Sequence, residues 1–158
     1  MPGYVHVYTG NGKGKTTAAM GLALRAAGAG WNVFIAQFGK PSPSSEVQAL
    51  SRFSDRIKVR HYTGACVEQG LVESKEALAS GDYGLVVLDE ANVGPMLEMF
   101  GVDELIDLLD AREAHVELVV TGRYADPAVI ERADLVTEMR EVKHYYQQGV
   151  LARVGIER

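Results

Sequence analysis

The chain has 158 residues, 47% of them apolar and 23% charged, with a net charge of −5. Size and balance predict one globular domain over residues 1–158 with a real core. The acidic charge without a basic stripe argues against a nucleic-acid partner, and no apolar run approaches the ~20 residues of a membrane span.

The start of the chain has no signal-peptide plan, because strand-like residues begin at once. The lone cysteine, Cys66, can form no internal disulfide, which fits a reducing cytoplasm. Residues 4–8 read YVHVY, an alternating β-prone run. Residues 9–17 read TGNGKGKTT, and residues 18–25, AAMGLALR, are good helix formers with an apolar face. Strand, glycine- and lysine-rich turn, then helix is the order a Walker A phosphate loop needs.

In such a loop the glycines let backbone N–H groups approach phosphate oxygens closely. The helix N-terminus adds a dipole that favours an anion. Lys15 supplies a full positive charge for the outer phosphates, and the Thr16 hydroxyl is placed for Mg²⁺. Gly14-Lys15-Thr16 fits the end of the motif, but Thr9 stands where the first glycine belongs. Lys13 is a second cation that an ordinary phosphate loop does not require. The nucleotide-binding set is therefore Thr9, Gly10, Asn11, Gly12, Lys13, Gly14, Lys15, Thr16 and Thr17.

The first helix is expected over residues 16–29, stopping at Gly28 and Gly30, and a second strand over 32–37. Residues 38–45, FGKPSPSS, read as a loop, because prolines and serines oppose regular structure. Ser44 or Ser45 can cap a short helix over 46–53. A third strand is expected over 57–62, irregular chain over 63–70, and a helix over 71–80 closed by Gly81. Residues 85–90, LVVLDE, are a continuous apolar strand ending in two carboxylates, as in a central parallel strand.

Residues 102–112 form an amphipathic helix with Val102, Leu105, Ile106 and Leu109 on one face. A fifth strand covers 117–121, and Asp126-Pro127 caps and starts a helix to 133. A sixth strand covers 135–140, and the tail, 142–156, is expected to form a hairpin around Gln148-Gly149. Alternating strands and helices predict an α/β fold, a mostly parallel sheet with helices on both faces. Ligands then gather at the carboxyl ends of the strands.

Asp89 and Glu90 resemble a Walker B end, where a carboxylate holds Mg²⁺ opposite Thr16. Arg123, after the fifth strand, can clamp a phosphate or carboxylate, or be a surface arginine. Arg25, about three helical turns beyond Lys15, is open to a salt bridge or a surface role. His6, His61, His115 and His144 are scattered without metal-ligand spacing. No acid/base dyad is evident, which asks for a reaction needing little proton transfer from the protein.

TGNGKGKTTAAMGLALRAAGAG, then VVLDE, VTGR and ADLVTEMREVKH, closely resemble the ATP:corrinoid adenosyltransferases of the P-loop type. The resemblance spans nearly the whole chain and accounts for Thr9 and Lys13. It implies a P-loop NTPase, RecA-like architecture, and transfer of the 5′-deoxyadenosyl group of ATP to Co(I) of a reduced corrinoid. Triphosphate is the implied leaving group. Lys13 and Lys15 would then be catalytic, Thr16, Asp89 and Glu90 would hold Mg²⁺, and Arg25 would lie near the nucleoside end of ATP. A Co(I)-generating reductase and a homodimer are implied with it.

Many such relatives carry an N-terminal helical extension, whereas this chain begins at the first strand. Many also carry Thr-Gly-Phe-x-Trp-Glu near the corrinoid, where residues 63–68 here read TGACVE, and residues 68–82 look shortened. Two other functions fit the bare motifs. One is a P-loop ATPase or phosphotransferase using Lys15, Thr16 and Asp89. The other is a nucleotide-dependent corrinoid-binding module without adenosyl transfer.

Overall fold

In the computed structural model, which describes residues 1–40 and 45–157, the strands are β1 (Val5–Thr9), β2 (Val33–Phe38), β3 (Ile57–Tyr62), β4 (Leu85–Asp89), β5 (Glu117–Thr121) and β6 (Leu135–Glu138). They form one sheet in the order β3-β2-β4-β5-β1-β6. Every neighbouring pair is parallel. The helices between them are α1 (Lys15–Gly28), α2 (Ser45–Leu50), α3 (Val67–Ser80), α4 (Val102–Asp110) and α5 (Pro127–Arg132).

Strand alternation sends successive side chains to opposite faces, and two cores result. Val33, Ile35, Leu85, Val87 and Val119 pack with Ala19, Met20 and Ala23 of α1 and Leu50 of α2. Phe34, Ala36, Phe38, Val86, Leu88 and Val120 pack with Leu78 of α3, Leu105 and Leu109 of α4 and Val129 of α5. The expected α/β sheet, covered on both faces, is what forms. β5 lies between β1 and β4, so the glycine- and lysine-rich turn and the acidic strand end are not on adjacent strands.

Helix starts follow local chemistry. Asp126 accepts from Ala128 N–H at 2.8 Å with Pro127 in the first turn, as expected. The carboxylate of Glu104 accepts from Gly101 N–H at 2.6 Å and steadies the start of α4.

Four expectations are corrected. The helix expected from residue 71 begins at Val67, after a 3-10 turn over Gly64–Cys66. Gly70 is not a breaker there; a Cβ on it would lie 2.6 Å from the Tyr62 ring, so the missing side chain lets α3 pack on β3. The sixth strand ends at Glu138, and Met139 and Arg140 leave the sheet.

The tail forms no hairpin among the described residues. Tyr145–Gln148 is a 3-10 turn closed by Gly149, with φ +84°, and Val142, Leu151 and Val154 are exposed, so no packed face pins a strand pair. Of the loop expected over residues 38–45, Phe38 belongs to β2 and Ser45 to α2; residues 41–44, and with them the capping role considered for Ser44, lie outside the described residues.

Candidate active site

Between β1 and α1 the chain turns through two left-handed glycines, Gly10 at φ +95° and Gly14 at φ +119°. No side chain caps α1, and its first turn has no acidic residue. Its N-terminal N–H groups and dipole therefore favour an anion. Lys15 is buried, and its ammonium donates to the carbonyls of Gly10 at 2.7 Å and Gly12 at 2.8 Å. Burial, then the charge of Arg123, pushes the Lys15 pKa down, while Glu90 and Asp89 pull it back up.

A strap from β6 closes over this loop. Met139 N–H donates to Thr9 O at 2.8 Å, and Gly12 N–H donates to Met139 O at 2.6 Å. A Cβ on Gly10 would lie 2.4 Å from that Met139 oxygen, and one on Gly12 2.7 Å from it. These two glycines are thus required by the strap, besides any approach to phosphate. Thr9 also has a use for its side chain: its hydroxyl accepts from Ala125 N–H at 3.3 Å, joining the loop to the chain between β5 and α5.

Asp89, at the end of β4, is wholly buried and is the hub of the strand ends. Its Oδ1 accepts from the hydroxyls of Thr16 at 2.9 Å and Thr121 at 2.7 Å. Its Oδ2 accepts from the amide of Gln37 at 2.9 Å and the ammonium of Lys40 at 2.8 Å. Thr121 also accepts from Glu90 N–H at 3.0 Å. Glu90 stands at φ +61°, a conformation rare outside glycine and common where a strand end serves a site. Burial raises the Glu90 pKa most, Asp89 adds to the rise, and Lys40, Lys15 and Arg123 oppose it.

The structure thus brings Thr9, Gly10, Gly12, Gly14, Lys15, Thr16, Asp89 and Glu90 together. Asn11, Lys13 and Thr17 lie on the exposed rim of the loop. Arg123 is exposed and acts on Lys15 and Glu90 through its charge. Arg25 is exposed in the last turn of α1, about 15 Å along the helix from Lys15. Its charge is felt at Tyr8 of β1.

The reading of single motifs missed Gln37, Lys40 and the partnering role of Thr121. The one signal was a polar Gln37 inside the otherwise apolar run VFIAQF.

Hard cations take oxygen donors, and Mg²⁺ uses one or two carboxylates plus phosphate and water. The Thr16 hydroxyl and the Asp89 and Glu90 carboxylates form such a sparse set. Two buried oxygens on neighbouring strand ends, Gln37 Oε1 and Asn92 Oδ1, have no partner among the described residues. Bound water around a cation is the kind of donor that satisfies such acceptors. The residues present therefore fit Mg²⁺.

Beside the loop a hollow of about 210 Å³ is lined by Gly12, Lys13, Arg140, Lys143 and His144, with Glu141 and Tyr145. Its cations continue the positive rim of the loop. A larger hollow, about 340 Å³, lies at the opposite end of the sheet around Trp31, Gly84 and His115. It has no lysine or arginine in its wall, so size alone is a poor guide here. At residues 63–68, Ala65 and Cys66 are exposed, while Val67 is buried in the core. No aromatic side chain stands in that stretch.

Comparison with known proteins adds to this geometry. A family model described as ATP:corrinoid adenosyltransferase BtuR/CobO/CobP matches residues 1–158. The corrinoid adenosyltransferase of Pseudomonas aeruginosa is 37% identical over 170 residues, spanning 98% of this chain and 83% of that protein. Corrinoid adenosyltransferase CobA of Salmonella typhimurium is 36% identical, spanning 98% of this chain and 85% of that protein. The corrinoid adenosyltransferase of Escherichia coli is 34% identical with the same coverage, 98% and 85%.

Proposed function

The chain belongs to the ATP:corrinoid adenosyltransferase family, and from that membership we propose how its strand-end site performs ATP-dependent adenosylation of a corrinoid. The enzyme transfers the 5′-deoxyadenosyl group of ATP to the cobalt of a reduced corrinoid. In the reaction, Co(I) donates an electron pair to C5′ and a Co–C bond forms. The C5′–O5′ bond breaks, and its electron pair leaves with the triphosphate. No proton moves.

The protein then has two tasks. One is to hold C5′ in line with the cobalt, since fixing two reactants in attack geometry removes much of the barrier. The other is to stabilise charge that grows on the departing triphosphate. The observation that carries the reading is the buried Lys15 ammonium, seated within its own loop by the Gly10 and Gly12 carbonyls. Those contacts hold the cation at the phosphate cradle. Lys13 on the rim adds a second positive charge, and the loop amides add donors.

Mg²⁺, held by Thr16, Asp89 and Glu90 in this proposal, supplies Lewis-acid charge neutralisation to the phosphates. Thr9, Gly10, Asn11, Gly12, Gly14 and Thr17 complete the cradle. Arg25 serves the nucleoside end and Arg123 the polyphosphate. The exposed Ala65 and buried Val67 favour a corrinoid face built without aromatic side chains at these positions. A homodimer, a separate Co(I)-generating reductase and a cytoplasmic setting accompany the proposal. Among the described residues no helix is long and apolar enough to cross a membrane.

The test is an anaerobic assay with ATP, Mg²⁺ and chemically reduced corrinoid. Loss of the Co(I) absorbance with equimolar triphosphate is expected. ATP consumption yielding ADP or phosphate, with Co(I) untouched, overturns the reading.

A further inference from the structure

Lys40 belongs to no motif singled out above, yet its ammonium donates to Asp89 Oδ2 at 2.8 Å. Its side chain is 22% exposed, while that of Asp89 is wholly buried. A buried carboxylate is strongly disfavoured unless a cation or several donors hold it. Here Lys40 supplies the cation, and Thr16, Thr121 and Gln37 supply neutral donors.

The same carboxylate, with Thr16, is the proposed magnesium edge. A dication there and the ammonium of Lys40 would crowd two cations onto one carboxylate in a poorly screened setting. Thr16, Thr121 and Gln37 sit on α1, β5 and β2 and cannot withdraw. Lys40 can: it follows Gly39, at φ +70°, beyond the end of β2, and reaches in on a long flexible stem.

We propose that Lys40 is the resident counter-ion of Asp89 in the nucleotide-free enzyme, and that it passes from Asp89 to the polyphosphate when Mg²⁺ and ATP bind. This rests on the adenosyl-transfer reading and deepens it. The Lys40 ammonium and the Thr16 hydroxyl each lie one hydrogen bond from the same carboxylate, so phosphate held near Thr16 is within the lysine's reach. Delivered there, Lys40 is a further cation on the leaving triphosphate, where charge grows as C5′–O5′ breaks. In the free enzyme the same contact holds the Asp89 carboxylate pointed at Thr16.

The experiment compares wild type, Lys40→Met and Lys40→Arg by thermal shift and calorimetry, with MgCl₂ alone and then with Mg²⁺ and ATP, no corrinoid present. Lys40→Met is expected to melt below wild type without magnesium. It should bind Mg²⁺ alone at a concentration at least tenfold lower, because the competing cation is gone. Its melting deficit should close when Mg²⁺ is added. With corrinoid, kcat should fall about tenfold or more.

Should Lys40→Met not fold, Lys40→Arg decides. A guanidinium held more tightly on Asp89 is expected to raise the Mg²⁺ concentration needed for ATP binding. A magnesium dependence unchanged in the folded variant, with any Lys40→Met melting deficit persisting at saturating Mg²⁺ and ATP, makes Lys40 a static ion pair and overturns the proposal. The magnesium titrations need no corrinoid, so they stand apart from the wild-type assay that tests adenosyl transfer.

Discussion

Thr16 Oγ1 donates a 2.9 Å hydrogen bond to Asp89 Oδ1, joining the first turn of α1 to the end of β4 across 73 positions of sequence. β5 separates β1 from β4, and α1 reaches Asp89 because it crosses the sheet face and packs on β4 and β5. The hydrogen bond puts the loop hydroxyl and the buried carboxylate on one edge, where a hard cation could meet both.

Lys15→Ala is expected to lower kcat by about 10²–10³-fold, the cost of losing one preorganised charge aimed at a developing anion. The fold should survive, which circular dichroism checks, since Gly10 and Gly12 lose only a partner for their carbonyls. Steady-state kinetics within threefold of wild type would refute the role given to Lys15.

Thr121→Val removes the hydroxyl that accepts from Glu90 N–H and donates to Asp89. Leaving buried polar groups short of a partner costs about 1–3 kcal/mol. For a chain of this size each kcal/mol lowers Tm by about 2–4 °C. Thr121→Ser keeps the hydroxyl and should recover most of the loss in a thermal melt.

Glu90 is the group whose pH behaviour matters most at the site. Burial and Asp89 raise its pKa in the folded protein above the ordinary 4.5. The protonated form therefore favours folding, fully so below pH 4.5, and that contribution is lost as pH rises through the raised folded value. Glu90→Gln should then raise Tm at neutral pH, with the gain shrinking toward zero below pH 4.5. It should also weaken the magnesium response. Melts across pH check the first, and an unchanged Tm at neutral pH would count against the burial argument.

Gly12→Ala and Gly21→Ala should behave in opposite ways. At Gly12 a Cβ would lie 2.7 Å from Met139 O, so the strap must shift, and ATP affinity measured by calorimetry should fall. At Gly21, in the exposed middle of α1, nothing lies within 4 Å of a new Cβ. Alanine there should stabilise the protein by about 0.5–1 kcal/mol through helix propensity alone. Denaturant titration distinguishes the two.

Much of the molecule was legible from short stretches of chain. The apolar run Leu85–Asp89, the turn from Gly10 to Gly14 and the Asp126-Pro127 helix start each carry their signal within a few residues, because strand burial, left-handed turns and caps are local physics. The α/β class followed from their alternation. Of the partners of Asp89, Thr16 was expected opposite it, and the other three were not legible. Gln37, Lys40 and Thr121 come from β2, the residues after it and β5, and they meet because parallel pairing puts those strand ends side by side.

The strap at Met139 and the early start of α3 have the same origin. Gly12 and Gly70 look like turn residues in isolation, and only the neighbouring backbone and the Tyr62 ring reveal them as points of close approach. Sequence alone determined which segments fold and where the glycine- and lysine-rich turn joins strand to helix, since those depend on nearby residues. Tertiary structure decided which polar groups share one buried carboxylate, since that depends on strand order and packing across the sheet.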